Sequence, residues 1–462
     1  MNTLFELGVD RKAYRTWYSL NKNTNIRVKT GVGYTEWSEE GPMIGQGSGG
    51  GALVSQANLD KWVVDMFKGS KDEVRYGAVV MLPLMFQDDV MRPVDSVLAA
   101  RAGNVKVNSV MNSKQLRLNP EKTSYIMFGD KKDLAGISKE VVLSPIMCGD
   151  FETKEKVADK WLGDMFHQDG LAASVIATIK EREPKVKGAC YEAAAIVDDW
   201  RSQVVGGFLS AIDLLELAIL PKLLYNAETW VEITREAEES LENLQLLFLR
   251  LVLRVPQSTP KIALRSETGM LSMKLRIWRK KLMFIHHVKN LDDSTLAKQV
   301  WIEQKRNGWP GLARECKEIC EKLGIEDANE TNCGKKEWRR IVNLAYRNMD
   351  KVDMLKGMEG KTKMEELKSG DCNIKPYMKL KSLKQVRDTF RARTHMVEGF
   401  KANFKNMYKG KDTTCDGCKE EIDSQSHALV CPAYSDLMIG LDIMQDADLV
   451  SFFSKVMDRR GL

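Results

Sequence analysis

The sequence predicts an α+β protein, and three observations lead to this fold class. Short apolar runs separated by glycine-rich or polar turns fill residues 1–168, a pattern typical of strands and hairpins mixed with helices. Long amphipathic patterns follow over residues 169–300, and residues 301–410 are charged and mostly helical in pattern. The last segment, residues 411–462, contains cysteines and a histidine at the spacing of metal ligands. We therefore expect four domains with these boundaries.

Composition allows several functions and argues against two classes of protein. The 462 residues are 43% hydrophobic, and 70 Lys and Arg against 64 Asp and Glu give a net charge of +6, which permits a nucleic-acid partner without requiring one. No apolar run reaches the ~18 residues of a membrane span, and no signal-peptide pattern is present. The nine cysteines are mostly scattered, which argues against a secreted disulfide framework. We expect an intracellular protein, nuclear or cytoplasmic, with no membrane contact.

Turn signals divide the beginning of the chain into short elements. A short helix over residues 10–21 is predicted, followed by a hairpin around Gly31-Val32-Gly33. A glycine-rich loop at residues 45–51 then leads into a helix over residues 52–67.

A second hairpin is predicted where the apolar run 77–86 ends at Gln87 and resumes at Val90. Asp88 and Asp89 are expected at its tip. Two adjacent carboxylates raise each other's pKa unless a cation neutralises them. Mg²⁺ or Mn²⁺ takes hard oxygen ligands, and a carboxylate pair suits phosphoryl transfer with two ions roughly 3.5–4 Å apart. The alternative is a solvated hairpin tip that binds nothing, and this short motif alone does not decide between them.

The order of four segments resembles the palm of the reverse transcriptases of non-long-terminal-repeat retrotransposons. These are a glycine-rich loop, an aromatic-x-Asp-Asp turn, a Leu-Asn-x-x-Lys-Thr turn and a hairpin with Leu-Gly at its turn, at residues 45–53, 86–89, 118–123 and 160–163. The resemblance implies an RNA-directed DNA polymerase with a partial palm and deoxynucleotides as substrates. It implies that Asp88 and Asp89 are catalytic ligands of Mg²⁺.

The same resemblance implies roles for residues outside the aspartate pair. Gln46, Gly47 and Ser48 would contact the template and the incoming nucleotide, where glycines let the backbone approach closely. Lys122 would meet a phosphate or pyrophosphate. For Lys122, a solvated lysine in a turn is an equally good interpretation.

The middle of the chain is expected to be a helical, thumb-like region. Residues 218–230 and 256–269 resemble segments of that region in the same family, and they imply no catalysis. The helices are expected to break at prolines, namely Pro184, Pro221, Pro256 and Pro260. Around Trp278 and Phe284, basic residues interleave with aromatic ones. This composition can track nucleic acid, although a solvated helix face with both aromatic residues in the core is the favoured interpretation.

The motif Cys415-x2-Cys418-x8-His427-x3-Cys431 predicts a tetrahedral zinc site, since three thiolates and one imidazole are a soft ligand set. The alternative is a small hydrophobic turn without metal. Little core is evident around the motif, so zinc is expected to supply its folding energy. In site-specific retrotransposons such a knuckle precedes an endonuclease, for which the segment after Cys431 is too short. The basic arm before the knuckle, residues 387–411, has RNA and DNA, including a target DNA, as expected partners.

Members of the family carry a third metal-binding aspartate before the glycine-rich loop. In residues 1–44 the single aspartate is Asp10, which begins an expected surface helix. Two metal ions without that shared ligand lose their geometry. We therefore expect a reverse transcriptase remnant that is inactive on its own, and the alternative is a non-catalytic nucleic-acid-binding module.

Overall fold

A computed structural model describes residues 74–86, 89–113, 116–129, 131–201, 203–359, 373–403 and 409–462, together with residues 10–12, 15, 19, 25–26, 29–30 and 33–39. The chain divides into two compact units, Met1–Trp161 and Leu162–Leu462. Helices and short two-stranded sheets occur together, which confirms the α+β class in its general sense. In the described part of the chain, no helix is both apolar enough and long enough to cross a membrane.

The first unit contains short strands, and twelve of those described pair two by two. Its strands are β1 (Asn25–Ile26), β2 (Lys29–Thr30), β3 (Gly33–Tyr34), β4 (Ser38–Glu39), β5 (Val74–Tyr76), β6 (Val79–Met81), β7 (Leu84–Phe86), β8 (Asp89–Met91), β9 (Ser124–Tyr125), β10 (Met147–Cys148), β11 (Phe151–Glu152), β12 (Lys154–Glu155) and β13 (Ala158–Trp161). The antiparallel pairs are β1–β4, β2–β3, β5–β6, β7–β8 and β10–β11, and β9–β12 is parallel. Both predicted hairpins are therefore confirmed.

Two helices, α1 (Val97–Ser113) and α2 (Lys131–Leu143), supply the apolar contacts of this unit. Val97, Val141 and Ile146 form its small buried cluster. Residues 11, 12, 15 and 19 of the predicted first helix are helical. The glycine-rich loop and the helix predicted after it lie outside the described residues.

The second unit is mainly helical. It begins with β14 (Asp164–His167) and continues with α3 (Leu171–Arg201), α4 (Gly207–Leu214), a π-helical turn (Leu215–Ile219), α5 (Leu220–Leu223), α6 (Arg235–Leu253), α7 (Lys261–Thr268), α8 (Met273–Lys289), α9 (Leu296–Asn307), α10 (Leu312–Leu323), α11 (Lys335–Met358), α12 (Pro376–Leu380), α13 (Leu383–Arg393), a 3₁₀ turn (Lys401–Asn403), α14 (Gln425–Ala428), a 3₁₀ helix (Pro432–Met438) and α15 (Asp446–Arg460). One buried cluster joins α3, α4, α6, α12 and α13, and a second joins α8, α10 and α11.

Pro184 does not break its helix, so this part of the sequence prediction is wrong. The proline lies inside α3, which is continuous from Leu171 to Arg201. Pro184 and Lys180 are both exposed, so water can bind the Lys180 carbonyl that loses its helical partner. Val186 and Cys190 follow the proline and are buried in the first cluster. Their packing keeps the helix continuous beyond Pro184.

Pro221 also lies within helical structure, because the run from Gly207 to Leu223 continues through the π-helical turn into α5. The prolines at 256 and 260 do separate helices, as predicted. Pro260 is the N-cap residue of α7, where its missing N–H costs nothing.

The stretch that resembles the family at residues 256–269 has a structural role. Glu267 is completely buried and accepts hydrogen bonds from Arg393 Nε and the Tyr377 hydroxyl, both at 2.8 Å. Gly269 ends α7 with φ +66°, and a Cβ at this position would lie 2.4 Å from the Ile374 backbone nitrogen. The motif thus holds α7 against the chain that leads into α12.

Candidate metal centre

The predicted polymerase residues are only partly described. Gln46, Gly47, Ser48 and Asp88 lie outside the described residues. Asp89 is the first residue of β8 and is exposed, directly opposite Phe86 of β7 in the antiparallel register. Asp89 therefore belongs to strand β8, whereas the sequence predicted it at the tip of the hairpin.

Lys122 is exposed in the turn that leads into β9. Asn119 organises this turn, because its side-chain oxygen accepts from the Glu121 N–H at 2.9 Å and its carbonyl accepts from the Thr123 hydroxyl at 2.8 Å. The Leu-Asn-x-x-Lys-Thr pattern therefore has a local structural explanation. Among the described residues, no hydrogen bond or ion pair joins the side chains of Lys122 and Asp89.

The predicted hairpin at residues 160–163 contains a strained turn. Leu162 and Gly163 have φ values of 47° and 91°. The buried guanidinium of Arg182 donates to the Gly163 carbonyl at 2.7 Å and to the Tyr225 carbonyl at 2.8 Å. Arg182 thus ties this turn to the chain around Tyr225.

The strongest site in the described chain is the cysteine and histidine cluster near the C-terminus. One potential ligand atom each from Cys415, Cys418, His427 and Cys431 lies within 4.8 Å of the other three. Cys415 and Cys418 come from one tight turn. His427 lies on α14, whose N-cap residue Ser424 accepts a hydrogen bond from the His427 N–H at 3.1 Å. Cys431 directly precedes the 3₁₀ helix that Pro432 begins.

The distances between these atoms fit a tetrahedral zinc ion. Cys415 Sγ and Cys431 Sγ are 3.9 Å apart, and Cys418 Sγ and His427 Nε2 are 3.2 Å apart. Ideal tetrahedral zinc places two sulfurs about 3.8 Å apart and a sulfur and a nitrogen about 3.6 Å apart. The cluster can therefore bind a zinc ion, as the sequence predicts, with the His427 Nε2 atom facing the sulfur ligands.

No protein-family model matches this chain, and no curated protein matches it either.

Backbone N–H groups prepare the sulfur atoms for a cation. The N–H of Gly417 points at Cys415 Sγ at 3.4 Å. The backbone N–H groups of Glu420 and Glu421 lower the pKa of the Cys418 thiol to about 6. Burial has the opposite effect on Cys431, whose pKa is raised to about 11. A bound zinc ion would supply the charge that keeps all three cysteines as thiolates.

The ligands are embedded in a hydrophobic core, which the sequence did not predict. Buried Cys415 and Cys431 pack with Phe400, and the 3₁₀ helix contributes Tyr434. The helix α15 covers this group with three apolar residues, Phe452, Phe453 and Val456. The helix α15 is therefore part of the metal-site module. Below, "zinc module" means residues 411–462.

Two residues of the zinc module that the sequence prediction missed are Asp423 and Arg460. Their side chains are 0% and 3% exposed and form an ion pair at 2.8 Å. The guanidinium of Arg460 also lies 4.5 Å from the Phe400 ring centroid and 5.2 Å from that of Tyr434. Neither residue belongs to a spacing motif. An arginine in the last turn of a helix is an ordinary surface pattern, so the sequence offered no sign of this pair.

The arginines of the predicted basic arm point into the protein. Arg387 donates to the Val252 carbonyl at 2.7 Å and bonds Asp198. Arg391 donates to the Arg254 carbonyl at 2.7 Å. Arg393 bonds Glu267 and forms an ion pair with Asp446 at 2.9 Å. These three cations fix α13 between the helical core and α15, and they are occupied by protein acceptors.

Proposed function

We propose that the chain is a zinc-stabilised nucleic-acid-binding protein of reverse transcriptase ancestry. The observation that carries the proposal is the convergence of Cys415, Cys418, His427 and Cys431 within 4.8 Å. The ion would be structural, because all four tetrahedral positions are taken by protein ligands. Ancestry is supported by the order of the four segments described above.

Exposed lysines and exposed aliphatic side chains accompany the metal ligands and support a nucleic-acid contact. Lys409 and Lys419 are exposed, and the solvated ion pair of Lys419 with Asp416, at 3.4 Å, is weak enough to be exchanged for a phosphate. Two aliphatic side chains are unusually exposed beside the ligands, Ile422 at 62% and Val430 at 77%. Val430 directly precedes Cys431. Cations beside exposed apolar groups suit unpaired bases with their phosphates better than a regular duplex.

Zinc content and binding to single-stranded RNA together test this proposal. We expect one zinc ion per purified chain, and anisotropy of a labelled RNA that rises with protein and falls steeply with salt. The double variant Lys409→Ala/Lys419→Ala should bind more weakly and with a shallower salt dependence. The matched control is Lys335→Ala/Lys336→Ala, which removes two exposed lysines at the start of α11. Equal loss in both variants, or no zinc, would count against the proposal.

RNA-templated DNA synthesis by two-metal phosphoryl transfer is the second candidate. It is favoured by the hairpin that places Asp89 on an exposed strand end next to Asp88. Mg²⁺ or Mn²⁺ at this pair would be the cofactor, and deoxynucleotides the substrates. Primer extension on a poly(A) template with Mg²⁺ tests it, and we expect no incorporation by the chain alone. Incorporation that disappears in Asp88→Asn and Asp89→Asn variants would instead establish a polymerase.

A further inference from the structure

A cleft of about 210 Å³ opens between α6, α8 and α10 of the second unit. Its apolar wall consists of three isoleucines and one tryptophan, namely Ile233, Ile277, Ile319 and Trp278. Its charged wall consists of three lysines and three glutamates, namely Lys274, Lys281, Lys322, Glu238, Glu315 and Glu318. A flat organic molecule with polar edges matches this combination better than a metal ion or a lipid chain.

Three of the six charges already have protein partners. Buried Lys281 is bonded to Glu315. Glu318 pairs with Arg314 at 3.2 Å. The side chains of Glu238, Lys274 and Lys322 are in no ion pair or hydrogen bond within the described part of the chain. One carboxylate and two ammonium groups therefore line the cleft and are available to a ligand.

Glu238 is positioned to accept hydrogen bonds from a ligand. Burial raises the pKa of its carboxyl above the ordinary value, while Lys274, Lys281 and Lys322 act in the opposite direction. Partial burial deprives this carboxylate of hydrating water, so hydrogen bonds from N–H donors of a ligand would stabilise its charged form. A ligand with two adjacent N–H donors would satisfy both oxygens at once.

Trp278 offers the aromatic wall. The ammonium groups of Lys274 and Lys322 lie 4.7 Å and 5.7 Å from its ring centroid. Both lysines have flexible stems, so an ammonium can leave the ring and follow a phosphate without backbone movement. A planar base can then stack on the indole in its place.

Other basic residues of α8 do not compete for the same ligand. Arg276 pairs with Glu216 at 2.7 Å, and Lys280 pairs with Glu228 at 2.7 Å. Arg279 donates to Asn343 at 3.0 Å. The anion-binding capacity of this helix is therefore concentrated in the cleft, at Lys274.

We propose that this cleft binds a guanine base carrying a phosphate. Guanine presents adjacent N1–H and N2–H₂ donors that match the Glu238 carboxylate, whereas adenine would place its N1 acceptor against that carboxylate. Trp278 stacks on the base, and Lys274 and Lys322 neutralise the phosphate. The proposal concerns the helical region alone and does not depend on the zinc module or on polymerase ancestry.

Calorimetric titration of the full chain with guanosine and adenosine 5′-monophosphate tests the proposal. We expect the guanine nucleotide to bind at least about tenfold more tightly than the adenine nucleotide, since adenine offers only its N6 amino group, beside the N1 acceptor, where guanine offers two adjacent donors. Glu238→Gln should remove most of this preference. Trp278→Leu should weaken binding of both nucleotides about tenfold, the loss of one stacking contact.

Two further variants separate binding from folding. Lys274→Ala/Lys322→Ala removes the phosphate partners and keeps the four apolar side chains of the cleft, although it also removes the two ammonium groups above the Trp278 ring. It should weaken binding of the guanine nucleotide with only a small change in melting temperature, because cation–π contacts at exposed sites are weak. Lys280→Ala lies on the same helix outside the cleft and should bind normally. A single-stranded oligonucleotide with one guanine, compared with one that has none, shows whether the source of the base is a free nucleotide or a strand.

Several results would overturn the proposal. These are equal affinity for the two nucleotides in the unmodified chain, no binding of either nucleotide or oligonucleotide, and inorganic phosphate binding as tightly as the guanine nucleotide. A Glu238→Gln variant that keeps its full guanine preference would also overturn it.

Discussion

The carboxylate of Asp423 and the guanidinium of Arg460 form a two-point ion pair inside the zinc module. Arg460 Nη2 lies 2.8 Å from Asp423 Oδ1, and Nη1 lies 3.1 Å from Oδ2. Asp423 also accepts the Lys401 N–H at 3.1 Å. The pair therefore joins three separate segments: the loop between the second and third zinc ligands, the chain before the knuckle, and the last turn of α15.

Asp423→Asn should destabilise the zinc module strongly. The substitution leaves the Arg460 guanidinium buried without its counter-charge, and breaking one partner of a buried pair costs about 3–5 kcal/mol. We expect urea denaturation followed by a probe in α15 to show this loss in the free energy of unfolding.

Asp436→Asn is the matched control for this prediction. Asp436 pairs with Arg459, the residue beside Arg460, but both side chains are largely exposed. Water replaces that interaction, so we expect no resolvable change. Equal effects of the two substitutions would show that the burial of Asp423 is not what makes its pair important.

Zinc removal should unfold the zinc module and leave the helical core folded. The module has apolar contacts of its own through Phe452, Phe453 and Val456, but its turn and α14 depend on the ligands for their arrangement. Hydrogen exchange before and after chelation should show loss of protection in residues 411–462 and retained protection in α3 and α6. Unchanged protection in the module after complete zinc loss would contradict this.

Cys431→Ser should reproduce the effect of the chelator, since a serine oxygen is a poor substitute for a thiolate on zinc. Cys333→Ser provides the control with the same chemical change, because Cys333 is outside the cluster. We expect about one zinc ion per chain in the control and little or none in Cys431→Ser.

The cluster of three cysteines and one histidine could be predicted because its information is local. Cys415 and Cys418 are separated by two residues, and His427 and Cys431 follow within one short segment. The pairing of β7 with β8 was predictable for the same reason, since an apolar run interrupted by the three polar residues 87–89 specifies a turn.

Long-range pairing was not predictable. Arg387 and Arg393 resemble part of an exposed basic arm in the sequence, yet their acceptors Asp198 and Glu267 lie more than a hundred residues earlier. The sequence shows that an arginine is present, but it does not show which distant carboxylate will pair with it in the folded chain. The effect of Pro184 was missed for a related reason, because the packing that keeps α3 continuous comes from other helices.

Gly269→Ala should be more damaging than substitution of an ordinary C-terminal glycine. At φ +66°, an alanine carries left-handed strain, and its Cβ would also meet the Ile374 backbone nitrogen at 2.4 Å. The left-handed conformation costs alanine about 1–2 kcal/mol. The clash adds about 1–3 kcal/mol, because the backbone at Ile374 cannot rotate away as a side chain can.

Gly308→Ala isolates the strain from the clash. Gly308 ends α9 with φ +63°, and a Cβ at this position would meet no described atom within 4 Å. Thermal denaturation should therefore show a loss of about 1–2 kcal/mol for this variant and a clearly larger loss for Gly269→Ala. Similar losses would show that the chain around Ile374 moves aside.

The last prediction concerns acid stability of the first unit, where Asp159 is the central acceptor. Burial alone would raise the pKa of its carboxyl, but hydrogen bonds from Ser124, Lys156 and the Lys160 N–H together lower it below the ordinary value. A group with a lowered folded-state pKa stabilises the protein fully above its unfolded pKa of about 3.9, and this contribution is lost as the pH falls through the folded pKa. Because the carboxylate is partly exposed, Asp159→Asn should cost less than about 1 kcal/mol at pH 7. Denaturation of both proteins at pH 7 and at pH 3 should show that this difference shrinks in acid, and a difference that grows in acid would show that Asp159 is not stabilised as a carboxylate.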